Sequence, residues 1–111
     1  MNALRNKVQL IGNVGNDPEI KIFEGGRKLA NLTIATRDNY KNEKGEKVKQ
    51  TEWHRVVAWG KTAEIIEQFV SKGKEIAIEG KLTHRTYDDK NGEKRYVTEV
   101  LVSDLLFLGN K

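Results

Sequence analysis

Cysteine is missing from all 111 residues, so neither a disulfide framework nor thiolate chemistry is available, and a reducing compartment is compatible with the sequence. No apolar run approaches membrane-spanning length, and the opening Met-Asn-Ala-Leu-Arg lacks the apolar core of a signal peptide. Metal-ligand spacing is also wanting. His54 and His84 stand far apart with no cysteine near either, so no metal site is expected. Ser71 and Ser103 are the only serines, and neither has a histidine nearby in sequence. Gly60-Lys61-Thr62 has the end of a phosphate-binding P-loop, but that motif needs a glycine where Arg55 stands. Gly12-x-x-Gly15 is likewise short of a dinucleotide fingerprint. Nothing here assembles a nucleophile, a base and an oxyanion site, so an enzyme is not expected, nor a cofactor.

What is present describes a single wet domain over residues 1–111. Hydrophobic residues make up 37% and charged residues 32%, enough for one core but not two. A net charge of +4 and a pI near 9.3 permit nucleic acid as a partner without demanding it. Where the charges sit decides the matter.

The informative stretch is Thr51–Lys61, rich in β-branched and aromatic residues and closing on a glycine, which reads as a strand. Alternation puts Trp53, Arg55, Val57 and Trp59 on one face and Glu52, His54, Val56 and Ala58 on the other. The second face is small and mostly apolar, as a core face should be. A single Trp in a strand is more often core than platform, because it removes a large area from water. Both tryptophans of the chain beside an arginine are different, since burying an unpaired guanidinium is costly. An exposed aromatic–cation–aromatic row suits a flat, anionic polymer whose bases stack on rings and whose phosphates meet the charge.

In chain order, Lys7–Val14 reads as strand one, with Val8, Leu10 and Gly12 on one face. Gly12 and Gly15 mark a bend or a close backbone approach. Asp17-Pro18 breaks the pattern, and Glu19–Phe23 resumes it with Ile20 and Ile22 inward. Gly25-Gly26 is a turn and Lys28–Arg37 strand two. From Asp38 to Gln50 alternation fails, which reads as an exposed loop with Tyr40 near its base. Thr62–Lys72 is the one helical stretch: Ala63, Ile66, Phe69 and Val70 form an apolar stripe, Thr62 caps the start and Lys72-Gly73 the end. Glu75–Tyr87 is strand four, Asn91-Gly92 a hairpin signal, and Lys94–Leu108 strand five. The second half of that last strand is apolar on both faces, so cover on both sides is expected. Five strands with one helix between the third and fourth is the plan of the OB-fold, an all-β, partly open Greek-key barrel that binds oligonucleotides and oligosaccharides.

At Thr51-Glu52-Trp53-His54-Arg55-Val56-Val57 the sequence resembles the bacterial single-stranded DNA-binding protein family. Gly12-Asn13-Val14-Gly15-Asn16-Asp17-Pro18-Glu19, Ala30-Asn31-Leu32-Thr33-Ile34-Ala35-Thr36, Ile78-Glu79-Gly80 and Arg95-Tyr96-Val97-Thr98-Glu99-Val100 match in family order. The resemblance implies a cytoplasmic, nucleoid-associated OB-fold protein that coats single-stranded DNA without sequence preference in replication, recombination and repair. It also implies self-assembly into a homotetramer, with a pair of dimers as one way to build it. Carried over residue by residue, the stacking rings are Tyr40, Trp53, Trp59 and Tyr87. The matching basic positions are Arg5, Lys41, Arg55, Lys61, Lys72, Arg85 and Arg95, of which Arg55, Lys61 and Arg85 are placed at phosphates. His54 falls at a subunit contact. Solvated surface charge is the commonest fate of such cations, and that is the reading for Lys44, Lys47, Lys90 and Lys94. The family typically continues into a Gly/Pro-rich linker and an acidic tip that recruits replication and repair enzymes. This sequence stops at Gly109-Asn110-Lys111, a short form natural or trimmed, which puts tail-mediated partners in doubt. The alternatives are a primosome accessory or an RNA-binding OB-fold module, since stacking does not test the sugar.

Overall fold

A computed structural model describes residues 3–108; the Gly109–Lys111 end, on which the short-form expectation rests, lies outside them. After a 3-10 turn at Ala3–Asn6, β1 (Val8–Val14) and β2 (Glu19–Ile22) are two halves of the expected first strand, broken at Asp17-Pro18. Then follow β3 (Lys28–Lys41), β4 (Lys47–Trp59), α1 (Gly60–Phe69), β5 (Glu75–Asp88) and β6 (Lys94–Phe107). The sheet runs β1-β5-β6-β4-β3-β2 and closes through β1–β3, so counting β1 and β2 as one strand gives the expected five-stranded barrel with its helix between strands three and four. All pairings are antiparallel except β4–β6, which is parallel at Val56↔Val100 and Val57↔Leu101. At the closure, β1 leaves β5 for β3 and its Gly12 lies against Ala35, whose carbonyl oxygen would stand 2.2 Å from any Cβ there. Hence the glycine.

The core is aliphatic: Val14, Ile34, Val56, Ile66 and Ile76 are fully enclosed. These are the inward positions of alternating strands, together with Ala63 and Ile66 of α1, which packs into the same core, and Val70 just past its end. Truncating Ile66 to Ala would cost about 2–5 kcal/mol, a large part of the roughly 5–15 kcal/mol a domain has. Among the described residues no helix is long and apolar enough to cross a membrane.

Several local expectations are corrected. The helix starts at Gly60 rather than Thr62, with Trp59 at the cap position and no side-chain cap bond, and it ends at Phe69 rather than Lys72. Phe69 falls outside the buried stripe and packs edge-on against Phe107, ring centroids 6.0 Å apart. Ile22 is exposed because β2 pairs only with β3 and runs past the core. The stretch from Asp38 to Gln50 is largely strand, paired in register as far as Lys41↔Lys47. It projects beyond the barrel, so neither face is buried and no hydrophobic alternation is needed. Asn42 Oδ1 closes its tip by accepting from Lys44 and Glu46 N–H, both at 2.9 Å. Asp89 Oδ1 does the same for Asn91 and Glu93 at the tip of β5–β6, the hairpin announced by Asn91-Gly92. The end of β6 is covered on one side only: Leu106 is 62% exposed.

Candidate nucleic-acid interface

Alternation holds along β4. Val56 and Ala58 are buried on the inner side, while Trp53, Arg55, Val57 and Trp59 stand on the outer wall. Register places Leu29, Asn31, Thr33 and Ala35 of β3 beside them, then Glu19 and Lys21 of β2. Across the parallel pairing the same wall continues through Leu101 and Glu99 of β6 to Lys81, Thr83 and Arg85 of β5. A groove of about 310 Å³ runs over it, lined among others by Asn16, Lys21, Asn31, Thr33, Arg55 and Arg85. Arg55 has no ion pair or hydrogen bond from its side chain among the described residues, so its full charge faces the groove.

Trp53 is 63% exposed and lies over the backbone of Gly15. A Cβ on Gly15 would stand 2.4 Å from Trp53 Cζ3 and 2.7 Å from Thr33 Oγ1, so only glycine leaves the indole room there. Asn16 Oδ1 fixes this floor, accepting from Thr33 N–H at 2.9 Å and Thr33 Oγ1–H at 2.8 Å. Most of the indole is left to solvent, which is what a ring needs if a base is to stack on it. Trp59 is more enclosed: Phe23 packs on it at 5.4 Å and the Arg27 guanidinium sits 4.3 Å from its ring centroid. Neither Phe23 nor Arg27 is legible as a site residue in the sequence, because only the β2–β3 turn brings them to Trp59.

The remaining positions differ in what they can offer. Arg85 donates from Nε and Nη2 to Glu99 Oε2 at 3.2 and 2.9 Å, and its guanidinium lies 5.8 Å from the Tyr87 ring. Glu99, 5% exposed, is the one buried charged residue of the described chain. Its hydrogen bond raises the Arg85 pKa, and its charge offsets part of the field Arg85 projects. Tyr87 shares Arg85's outward parity, whereas Tyr40 lies on the other side of its ribbon, on the parity of Thr36 and His54. The structure therefore does not bring Tyr40 onto the Trp53 face. Arg95 is bound to Asp89 at 2.8 Å and Glu93 at 3.8 Å, which commits it to its own hairpin. The Asp89 carboxyl is held below its ordinary pKa by the Glu93 amide first and Arg95 second. Lys41 is at the β3–β4 tip, Lys61 in the first turn of α1, Arg5 in the opening 3-10 turn, and Lys72 in the turn after α1; all four are exposed. His54 is half-buried, with Nε2 2.9 Å from Thr36 Oγ1.

A second outer wall, over β1, β5 and β6, is of another kind. Ile11, Ala77 and Leu106 form an apolar row across the three strands, flanked by Gln9, Glu79 and Asp104.

Known proteins share this architecture. Residues 5–108 match the profile of the single-strand binding protein family. Single-stranded DNA-binding protein 1 of Chlorobaculum tepidum is 47% identical over 107 residues, covering 96% of this chain and 66% of its own length. Single-stranded DNA-binding protein 1 of Xylella fastidiosa is 45% identical over 110 residues, covering 98% of this chain and 81% of its own. The structure of a Plasmodium falciparum SSB complex with ssDNA superposes with a TM-score of 0.87 at 34% identity, over 94% of this chain and 95% of that one. Profile, relatives and barrel agree along nearly the whole sequence, and the chain belongs to the single-strand binding protein family.

Proposed function

We propose that this chain, as one domain, binds single-stranded DNA without reading its sequence and protects it during replication, recombination and repair, with no chemical step. The observation that carries the reading is the outer face of β4. There a largely exposed indole, an uncompensated guanidinium and a second indole follow one another along a single wall. Every base has a π-face, so stacking is strong and indifferent to sequence. Trp53 and Trp59 are the main platforms, with Tyr87 beside them and Tyr40 reached by a strand that wraps the ribbon. Arg55 is the principal phosphate contact. Lys61 and Arg85 follow, then Arg5, Lys41 and Lys72 on the exposed rim, with Arg95 weakest because its charge is already answered.

The same reading includes assembly into a homotetramer. The Ile11–Ala77–Leu106 row supports it, being aliphatic surface that gains by leaving water. His54, half-buried behind Thr36, is assigned a supporting role there; unchanged mass by light scattering in His54→Ala would remove it.

Intrinsic tryptophan fluorescence titrated with poly(dT) at several salt concentrations tests the binding. Deep quenching, with log affinity falling against log salt at about −0.7 per phosphate contact, is the expected result. Absence of quenching would overturn the reading. Competition with oligo(U) separates DNA from RNA, and equal competition would remove the preference for DNA.

A further inference from the structure

The β2–β3 turn holds a feature that neither the core nor the turn itself requires. Phe23 N–H donates to Arg27 O at 2.8 Å and Gly26 N–H to Phe23 O at 2.9 Å, so residues 23 and 27 are pinned together at the turn's base. Gly25 and Gly26, with φ of 85° and 84°, make so tight a reversal possible. Phe23 keeps the outward parity of Glu19 and Lys21, and its backbone is still extended. Its ring therefore continues the wall that carries Trp59, and it packs on that indole while remaining 47% exposed. It takes no part in the core.

Arg27 is equally unusual. Glu24 lies in the same turn, yet Arg27 makes no ion pair among the described residues; its guanidinium rests instead on the Trp59 ring, 4.3 Å from the centroid. A base stacking on that face of the ring would have to take its place. A cation–π contact at an exposed site is weak and exchangeable. A nucleotide brings both things that would dissolve it: a base to replace the guanidinium on the ring, and a phosphate to receive the charge.

We infer that the turn Phe23–Arg27 is a nucleotide subsite of the single-strand path, in which Arg27 occupies the base seat on Trp59 until an incoming base displaces it onto a phosphate. Phe23 then offers that base, or its neighbour, a second ring. The DNA path thus extends past β4 to the edge of β2. The inference rests on the single-strand reading above, and its test separates the two.

Poly(dT) is titrated into wild type, Phe23→Ala, Arg27→Ala and, as reference, Trp53→Ala, with folding checked by circular dichroism. Phe23→Ala should weaken binding roughly fivefold or more, and Arg27→Ala should lower the magnitude of the salt slope by about 0.7. In the free protein Arg27→Ala should also make tryptophan emission more open to acrylamide quenching, and that gain should vanish in a Trp59→Phe background. If Phe23→Ala does not fold, Phe23→Leu keeps the apolar cover but not the ring, and should show the same weakening. Wild-type affinity and slope in both turn variants, with binding weakened in Trp53→Ala, would overturn the subsite while leaving the DNA reading intact. Wild-type binding in all three variants would overturn both.

Discussion

The barrel turns two outer walls to solvent, and they differ in what accompanies their apolar groups. Over β2–β3–β4 the largest side chains are aromatic and Arg55 stands among them without an ion pair among the described residues, with Glu19 and Lys21 at the β2 edge, Trp53 laid on Gly15 and Trp59 beneath Arg27. Over β1–β5–β6 they are aliphatic, Ile11 and Leu106, and the neighbouring charges are Asp104 and Glu79, the latter 3.6 Å from Lys7 Nζ. Both walls alternate in and out identically, so geometry alone does not distinguish them. Chemistry does. Under the proposed reading a polyanion with stacked bases suits the first, and the aliphatic row of the second is left for a copy of the same chain.

The comparison is broken most sharply from the aliphatic side. Leu106→Asp should abolish self-association, seen as a fall in mass by light scattering, while each chain keeps its poly(dT) quenching. Loss of quenching with assembly intact would reverse the two assignments. Trp53→Ala comes next. Stacking is worth about 1–3 kcal/mol per base, a range established on proteins of this family's kind rather than obtained from this geometry. Binding to oligo(dT) should therefore weaken about 5- to 150-fold, with assembly unchanged. Gly15→Ala should reproduce a smaller part of that loss, because its Cβ would lift the Trp53 ring from its seat. Wild-type affinity would show that the seat does not matter.

The two walls and the hairpin tip also differ in how their arginines are occupied. Arg55→Gln should reduce the magnitude of the salt slope by about 0.7, and Arg95→Gln by markedly less, since Asp89 and Glu93 already answer its charge. Equal changes would mean the hairpin opens on binding. The smallest effect concerns pH. Two amides and Arg95 favour the charged form of Asp89, so its folded pKa is below the unfolded one. The hairpin bonds are present above the unfolded value of about 3.9 and fade as pH falls through the lower folded one. The Asn91 and Glu93 amide resonances should keep their bonded positions down to about pH 4 and move only beneath it.

The β4 face was legible in the sequence because a strand's period of two requires no tertiary information, and a Trp-x-Arg-x-x-x-Trp pattern leaves only two sides to choose between. Val56 and Ala58 settled which side was inward. Other parts were not legible, each for a physical reason. Phe23 and Arg27 reach Trp59 only through the β2–β3 register and a tight glycine turn, a tertiary fact. Tyr40 matched a family ring position, yet an unbroken register puts it on the opposite side of its ribbon from Trp53. The ribbon itself was hidden because strands that bury neither face carry no hydrophobic alternation. Phe69 sits at helical spacing from Ile66, but the helix ends there and its ring turns to Phe107 instead of the core. Arg85 and Arg55 look alike in sequence; only the fold shows that a buried carboxylate holds one of them.

Single-tryptophan variants test the central claim most directly. In Trp53→Phe and Trp59→Phe the remaining indole reports on its own seat as poly(dT) is added at increasing salt. Each should be strongly quenched, with affinity that declines as salt rises. An indole whose emission stays constant at saturating poly(dT) would contradict its place on the DNA path, and constancy in both would contradict the path itself.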